Sequence, residues 1–90
     1  MFVKYCDMSL LIDVRNIEEY EERHADGAIH LPLMAILYGN LGILDTVAKD
    51  EHIELYCHSG GRASRAEELL RERGFTNVVN RGGLEDVEKE

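Results

Sequence analysis

The sequence predicts an α/β domain, a parallel sheet of four to five short strands with helices on both faces. Three observations carry this expectation. Short apolar runs alternate along the chain with helix-forming stretches. The run Leu10-Leu11-Ile12-Asp13-Val14 is nearly continuous in apolar residues, as expected of a strand covered on both faces. A later run, Ile53-Glu54-Leu55-Tyr56, passes through Cys57 and two glycines into a strongly helical stretch, which puts the cysteine at a strand-to-helix junction.

In chain order, the strand at Leu10–Val14 carries Asp13 and Arg15 at its C-terminal end. Asn16 followed by Glu19 has the pattern of a capping box and predicts a short acidic helix over Ile17–Arg23. Asp26-Gly27 signals a turn, and Ala28–Leu31 a second strand, stopped by Pro32. A helix is expected over Leu33–Tyr38 and a weaker one over Leu44–Lys49, separated by Gly39-Asn40 and Gly42. Asp50-Glu51-His52 is a polar connection into the third strand, Ile53–Tyr56. Arg62–Arg73 is the clearest helix, with Ala63, Ala66, Leu69 and Leu70 as its apolar stripe. Gly74 suits its C′ position, with Phe75 beyond it to pack. Asn77–Asn80 predicts a fourth strand, Arg81-Gly82-Gly83 a turn, and Leu84–Glu88 a terminal helical turn.

A chain of 90 residues is enough for one domain, 1–90, and not for two. The formal net charge of −8 argues against nucleic acid or an anionic membrane as a partner. Arg62 and Arg65, beside the cysteine of an acidic protein, mark a local positive spot. Cys6 and Cys57 form neither a disulfide framework nor a zinc pattern. No stretch of about 18 apolar residues occurs, and the first residues lack the apolar core of a signal peptide. A cytoplasmic monomer is expected, with a mature periplasmic form given a new start methionine as the alternative. The four histidines show no tight i, i+3 or i, i+4 pair, so neither a metal nor a cofactor is expected.

The loop His58-Ser59-Gly60-Gly61-Arg62 is where chemistry is expected. Its backbone N–H groups can converge on the Cys57 sulfur, and the following helix adds its positive N-terminal end. Gly60 and Gly61 permit positive φ and close backbone approach. A free cysteine has a pKa of about 8.5, and such surroundings lower it. The spacing Cys57 to Arg62 is Cys-x4-Arg, one residue shorter than the Cys-x5-Arg of protein-tyrosine phosphatases, whose arginine would fall at Ala63. A smaller ring suits one sulfur atom better than a phosphate.

Three segments are similar to those of the single-domain rhodaneses, in particular the small bacterial thiosulfate sulfurtransferases of the phage-shock protein E type. Leu11-Ile12-Asp13-Val14-Arg15 with Glu19-Tyr20 resembles the family's opening strand and helix. His24-Ala25-Asp26-Gly27-Ala28-Ile29-His30-Leu31-Pro32 resembles its His-x-x-Gly-Ala turn and second strand. Tyr56-Cys57-His58-Ser59-Gly60-Gly61-Arg62-Ala63-Ser64 resembles its active-site loop. Gly74 to Leu84 continues the likeness, which runs from about Leu10 to Leu84. Two departures stand out: Ala63-Ser64 where many relatives have serine directly after the arginine, and a chain shorter than a full rhodanese domain.

The resemblance implies a rhodanese-like sheet and a ping-pong transfer of sulfane sulfur. Cys57 takes the outer sulfur of thiosulfate as a persulfide and passes it to cyanide or a thiol, with a protein thiol as one acceptor. His58, Ser59, Gly60, Gly61 and Arg62 form the anion-binding loop. Arg62 either binds the donor or pairs with a carboxylate to hold the loop. Asp13 and Arg15 are supporting residues that tie the first strand's end to nearby loops. His24 is expected to fix its turn, Arg65 to lie on the helix surface, and Cys6 to be an ordinary thiol rather than a resolving one. The alternatives are a persulfide carrier or rhodanese-like interaction module, and a Cys-dependent phosphatase or arsenate reductase.

Overall fold

In the computed structural model, which describes residues 10–88, four strands form one parallel sheet. The strands are β1 (Leu10–Asp13), β2 (Ile29–His30), β3 (Ile53–Cys57) and β4 (Val78–Gly83), in the spatial order β2-β1-β3-β4. The helices are α1 (Ile17–Glu22), α2 (Leu33–Leu37), α3 (Gly61–Glu72) and α4 (Leu84–Glu88), with a 3-10 helix at Gly42–Thr46. Cys6 lies outside the described residues.

The period-2 geometry of the strands divides the core in two. Ile12 and Val14 of the first strand segment and Ile53, Leu55 and Cys57 of β3 face Ile36, Ala63, Ala66 and Leu70. Tyr56 points to the opposite face, where Ala25, Ala28 and Leu84 cover it and Leu11, Tyr20 and Val87 pack at the margin. Both faces are thus covered, the arrangement expected from the nearly continuous apolar run of β1. Each fully buried Leu or Ile contributes about 1.5–3 kcal/mol of transfer free energy.

Local chemistry sets the helix ends. Asn16 N–H donates to Glu19 Oε1 at 3.1 Å, one half of the expected capping box. At the other end of α3, Phe75 N–H donates to Leu70 O at 3.1 Å and Phe75 is buried, as a Schellman end requires.

Two segments depart from expectation. The helix expected at Leu44–Lys49 is instead the 3-10 helix at Gly42–Thr46. Leu44 N–H bonds to Leu41 O, Thr46 Oγ1 bonds to Ile43 O, and Val47 is already extended. Gly42 at φ 58° and the extended Val47 bound the segment, which leaves too few residues for a longer helix. The turn expected at Arg81-Gly82-Gly83 is the end of β4. Leu55 pairs with Asn80 but Cys57 pairs with Gly83, so β4 carries one extra residue there, a β-bulge. Pairing with β3 keeps the glycines in the sheet.

Because β1 and β3 are adjacent and parallel, with Asp13 opposite Tyr56, their C-terminal ends meet on one edge of the sheet. Ligand sites of open α/β sheets lie outside such edges.

Candidate active site

β3 delivers Cys57 to that edge with 1% of its surface exposed. The chain then turns through His58 and Ser59, and Gly60 adopts φ 100°, a left-handed conformation that glycine alone takes without strain. This aims the loop inward. Gly60 N–H donates to Cys57 Sγ at 2.9 Å and Ala63 N–H at 3.4 Å. Burial pushes the Cys57 thiol up, but the backbone N–H groups of Ala63, Ser59, Gly60 and Arg62 outweigh it and hold the thiol below its ordinary range. The first turn of α3 supplies two of those groups, so the positive end of the helix faces the sulfur. Such an arrangement stabilises a sulfur anion.

The loop rests on β4. Asn80 Nδ2 donates to Gly60 O at 3.1 Å, and Asn80 Oδ1 accepts from Gly82 N at 2.8 Å. A Cβ at Gly83 would overlap the His58 carbonyl oxygen, so only glycine allows β4 and the loop to approach so closely. Asp86 Oδ2 accepts from Gly83 N at 2.9 Å and secures this shelf from α4.

Arg62 does not project from the loop as a free cation. Its Nη1 and Nη2 donate to Oε1 and Oε2 of Glu19 at 2.7 and 3.1 Å. The Arg62 guanidinium in turn holds the Glu19 carboxyl down at about 2. Arg65 is exposed and pairs with Glu68 at 3.0 Å. Asp13 and Arg15, both buried, form a bidentate pair with a shortest distance of 2.7 Å. Arg15 also donates to Arg23 O at 2.5 Å, which ties the end of β1 to the end of α1. Burial raises the Asp13 carboxyl, but the Arg15 side chain, the Arg15 backbone N–H and the Tyr56 hydroxyl together hold it below its usual range. Tyr56 O–H donates to Asp13 Oδ2 at 2.7 Å while accepting from Ala25 N at 3.0 Å, and burial first of all pushes its hydroxyl up to about 12.

The loop residues His58, Ser59, Gly60, Gly61 and Arg62 thus gather round Cys57, with Asp13 and Arg15 one strand away. His58 and Ser59 are exposed. His58 lines one wall of a cleft of about 440 Å³ between α1 and α4, together with Arg15, Glu19, Glu22, Arg23, Leu84 and Glu85. His24 Nδ1 lies 2.8 Å from Tyr20 O and its ring stacks on the Tyr20 ring, which ties it back to the end of α1, while the turn before Gly27 is closed by Ala28 N–H donating to Ala25 O. Among the described residues no three His, Cys, Asp or Glu side chains gather as a metal site would need. No helix among them is long and apolar enough to cross a membrane. The sequence reading missed Glu19 as the partner of Arg62, and it missed Asn80 and Tyr56. Glu19 was visible as a capping residue, but nothing local pointed it at the loop.

Comparison with known proteins agrees with this geometry. The family model "Rhodanese-like domain" matches residues 3–90. The chain is 39% identical over 77 residues to the thiosulfate sulfurtransferase PspE of Escherichia coli, covering 84% of this chain and 71% of that protein. It is 34% identical over 70 residues to the putative sulfur carrier protein YrkF of Bacillus subtilis, covering 78% of this chain and 36% of the relative. Among solved structures, a rhodanese with anions from E. coli superposes with a TM-score of 0.76 at 36% identity, covering 88% of this chain and 91% of that one. The human single-domain sulfurtransferase TSTD1 superposes with a TM-score of 0.74 at 26% identity, covering 91% and 83%. By fold, loop geometry and sequence match, the chain belongs to the rhodanese-like domain family.

Proposed function

We propose that the protein is a sulfurtransferase that carries sulfane sulfur on Cys57. The observation that supports this best is the buried Sγ ringed by loop and helix N–H groups. In the first half-reaction the Cys57 thiolate attacks the outer sulfur of thiosulfate. A Cys57 S–S bond forms, the sulfur–sulfur bond of thiosulfate breaks, and sulfite leaves with the electron pair. In the second, cyanide or a thiolate attacks the outer sulfur of the persulfide, and the Cys57 thiolate departs. The N–H groups stabilise the sulfur anion before and after each transfer.

A second reading, a persulfide relay to a protein thiol, draws on the ion pairs. Arg15, Arg62 and Arg65 are each bound to a carboxylate, so attraction for a dianionic donor falls mainly on the backbone N–H groups. A phosphatase reading gains no support, because the position needing its arginine holds Ala63, buried in the core.

Mass spectrometry after incubation with thiosulfate tests the proposal on wild type and Cys57→Ser. A gain of one sulfur atom on Cys57 alone is expected, and wild type without an adduct overturns it. Turnover with cyanide against turnover with a protein thiol then separates enzyme from relay.

A further inference from the structure

The bulge in β4 has a consequence for the loop it supports. With one extra residue between the Leu55–Asn80 and Cys57–Gly83 pairs, β4 brings the Asn80 amide under Gly60. The two ends of that amide do different things. Nδ2 donates to Gly60 O at 3.1 Å, and Oδ1 accepts from Gly82 N at 2.8 Å. Gly60 O also accepts the helical bond from Ser64 N at 2.9 Å. The Gly60–Gly61 peptide is therefore gripped from α3 on one side and β4 on the other. Gly60 N–H, at 2.9 Å, is the shorter of the two backbone bonds to Sγ. Gly60 has no side chain to fix it, and its φ of 100° is one of several basins open to glycine.

We propose that Asn80 is a positioning residue: by holding the Gly60 carbonyl it fixes the Gly60 backbone torsions, and these aim the Gly60 N–H of the preceding Ser59–Gly60 peptide at Cys57 Sγ. The side chain does not touch the sulfur. It acts through the backbone, and its effect is felt when the sulfur carries charge. The proposal deepens the sulfur-transfer reading, on which its functional meaning rests. Its readout, ionisation of the Cys57 thiol, does not depend on sulfur transfer. The charged and titratable side chains on the elements around the loop include His58, Arg62 with Glu19, Asp13 with Arg15 and Tyr56, Arg81 with Glu54, Arg65 with Glu68, and Glu85 and Asp86 of α4. Substitution of Asn80 by alanine removes none of them.

Thiolate absorbance in the ultraviolet, titrated against a Cys57→Ser blank, gives the ionisation midpoint. Asn80→Ala is expected to raise it by about one pH unit, so that about tenfold less thiolate is present well below the midpoint. Sulfur loading should fall by the same factor there and approach the wild-type rate once the thiol is fully ionised. A folded Asn80→Ala protein with the wild-type midpoint overturns the proposal, as does a loading deficit that persists at full ionisation. A measurement on wild type covers a variant that fails to fold. The Gly60 amide and Asn80 side-chain amide resonances should titrate with the Cys57 midpoint, and neither should do so in Cys57→Ser. An Asn80 amide indifferent to that ionisation overturns the proposal. Failure to take sulfur from thiosulfate, with the coupled titration intact, would remove the functional reading and leave the positioning role standing.

Discussion

Arg62 donates to both carboxylate oxygens of Glu19, at 2.7 and 3.1 Å, across 43 residues of chain. Glu19 Oε1 also accepts from Asn16 N–H, so one carboxylate caps α1 and holds the first turn of α3. The pair neutralises the arginine of the Cys57 loop. Glu19→Gln should release that charge toward an anionic donor and lower the KM for thiosulfate about threefold at low salt, with kcat little changed. The gain should vanish at high salt, because the added attraction is partly exposed. An unchanged KM with a lower kcat would mean that the bridge serves order alone.

The same carboxyl predicts an acid limb in stability. Glu19 sits at about 2 in the folded protein against an ordinary 4.5, and burial-opposed hydrogen bonds also hold Asp13 low. A depressed folded value means the stabilisation is fully present above the unfolded value and is lost as pH falls through the folded one. Denaturant midpoints should therefore fall between about pH 4.5 and 2, less steeply in Glu19→Gln than in wild type. Parallel profiles would argue against the pairing.

Asp13→Ala leaves the buried Arg15 guanidinium without its carboxylate and the Tyr56 hydroxyl without its acceptor. The expected cost is about 3–5 kcal/mol, a large share of the roughly 5–15 kcal/mol available to a domain. Urea unfolding followed by circular dichroism should show it as a much lower midpoint, and a shift within error would discount the buried pair.

Gly83→Ala tests the shelf beneath the loop. The added methyl would overlap the His58 carbonyl oxygen, so the loop must move away from β4. Displacement of the N–H groups by about 1 Å should slow persulfide formation by about 100-fold. Secondary structure should be retained, since the sheet pairing of Ile53 to Leu55 with Val78 to Asn80 lies below the clash. Rapid-mix mass spectrometry of sulfur loading provides the rate.

Alkylation of Cys57 by iodoacetamide should rise with pH through a midpoint below the ordinary cysteine value, because loop N–H groups favour the thiolate despite burial. A midpoint at or above that value would sink the anion-cradle reading.

Features of the site that depend on neighbours in sequence were legible from sequence. Cys57, the glycines after it and the helix beyond them are contiguous, so their order dictated a loop closing on a sulfur. The Asn16–Glu19 cap and the Gly74-Phe75 helix end are local motifs and occur where expected. Asp13 and Arg15 are expected from sequence to tie the end of β1 to nearby loops; the structure pairs them with each other, and Arg15 also reaches Arg23 O. His24 is expected to fix the turn before Gly27, and its Nδ1 instead lies 2.8 Å from Tyr20 O at the end of α1. His30 Nε2 lies 2.7 Å from Arg15 O, a contact no spacing suggested.

By itself, then, the sequence determined the alternation of strand and helix, the end of the sheet that carries the site and the sulfur at its centre. These follow from periodicity, turn chemistry and short-range spacing. Tertiary structure alone decided that Arg62 is bound to Glu19, that Tyr56 links Ala25 to Asp13, and that Asn80 underpins Gly60. Each joins residues at least 20 positions apart. It also decided that Arg81-Gly82-Gly83 stays in the sheet as a bulged strand end rather than leaving it as a turn. A glycine pair permits either course, and the backbone of β3, with its own hydrogen-bonding groups to satisfy, selected the strand.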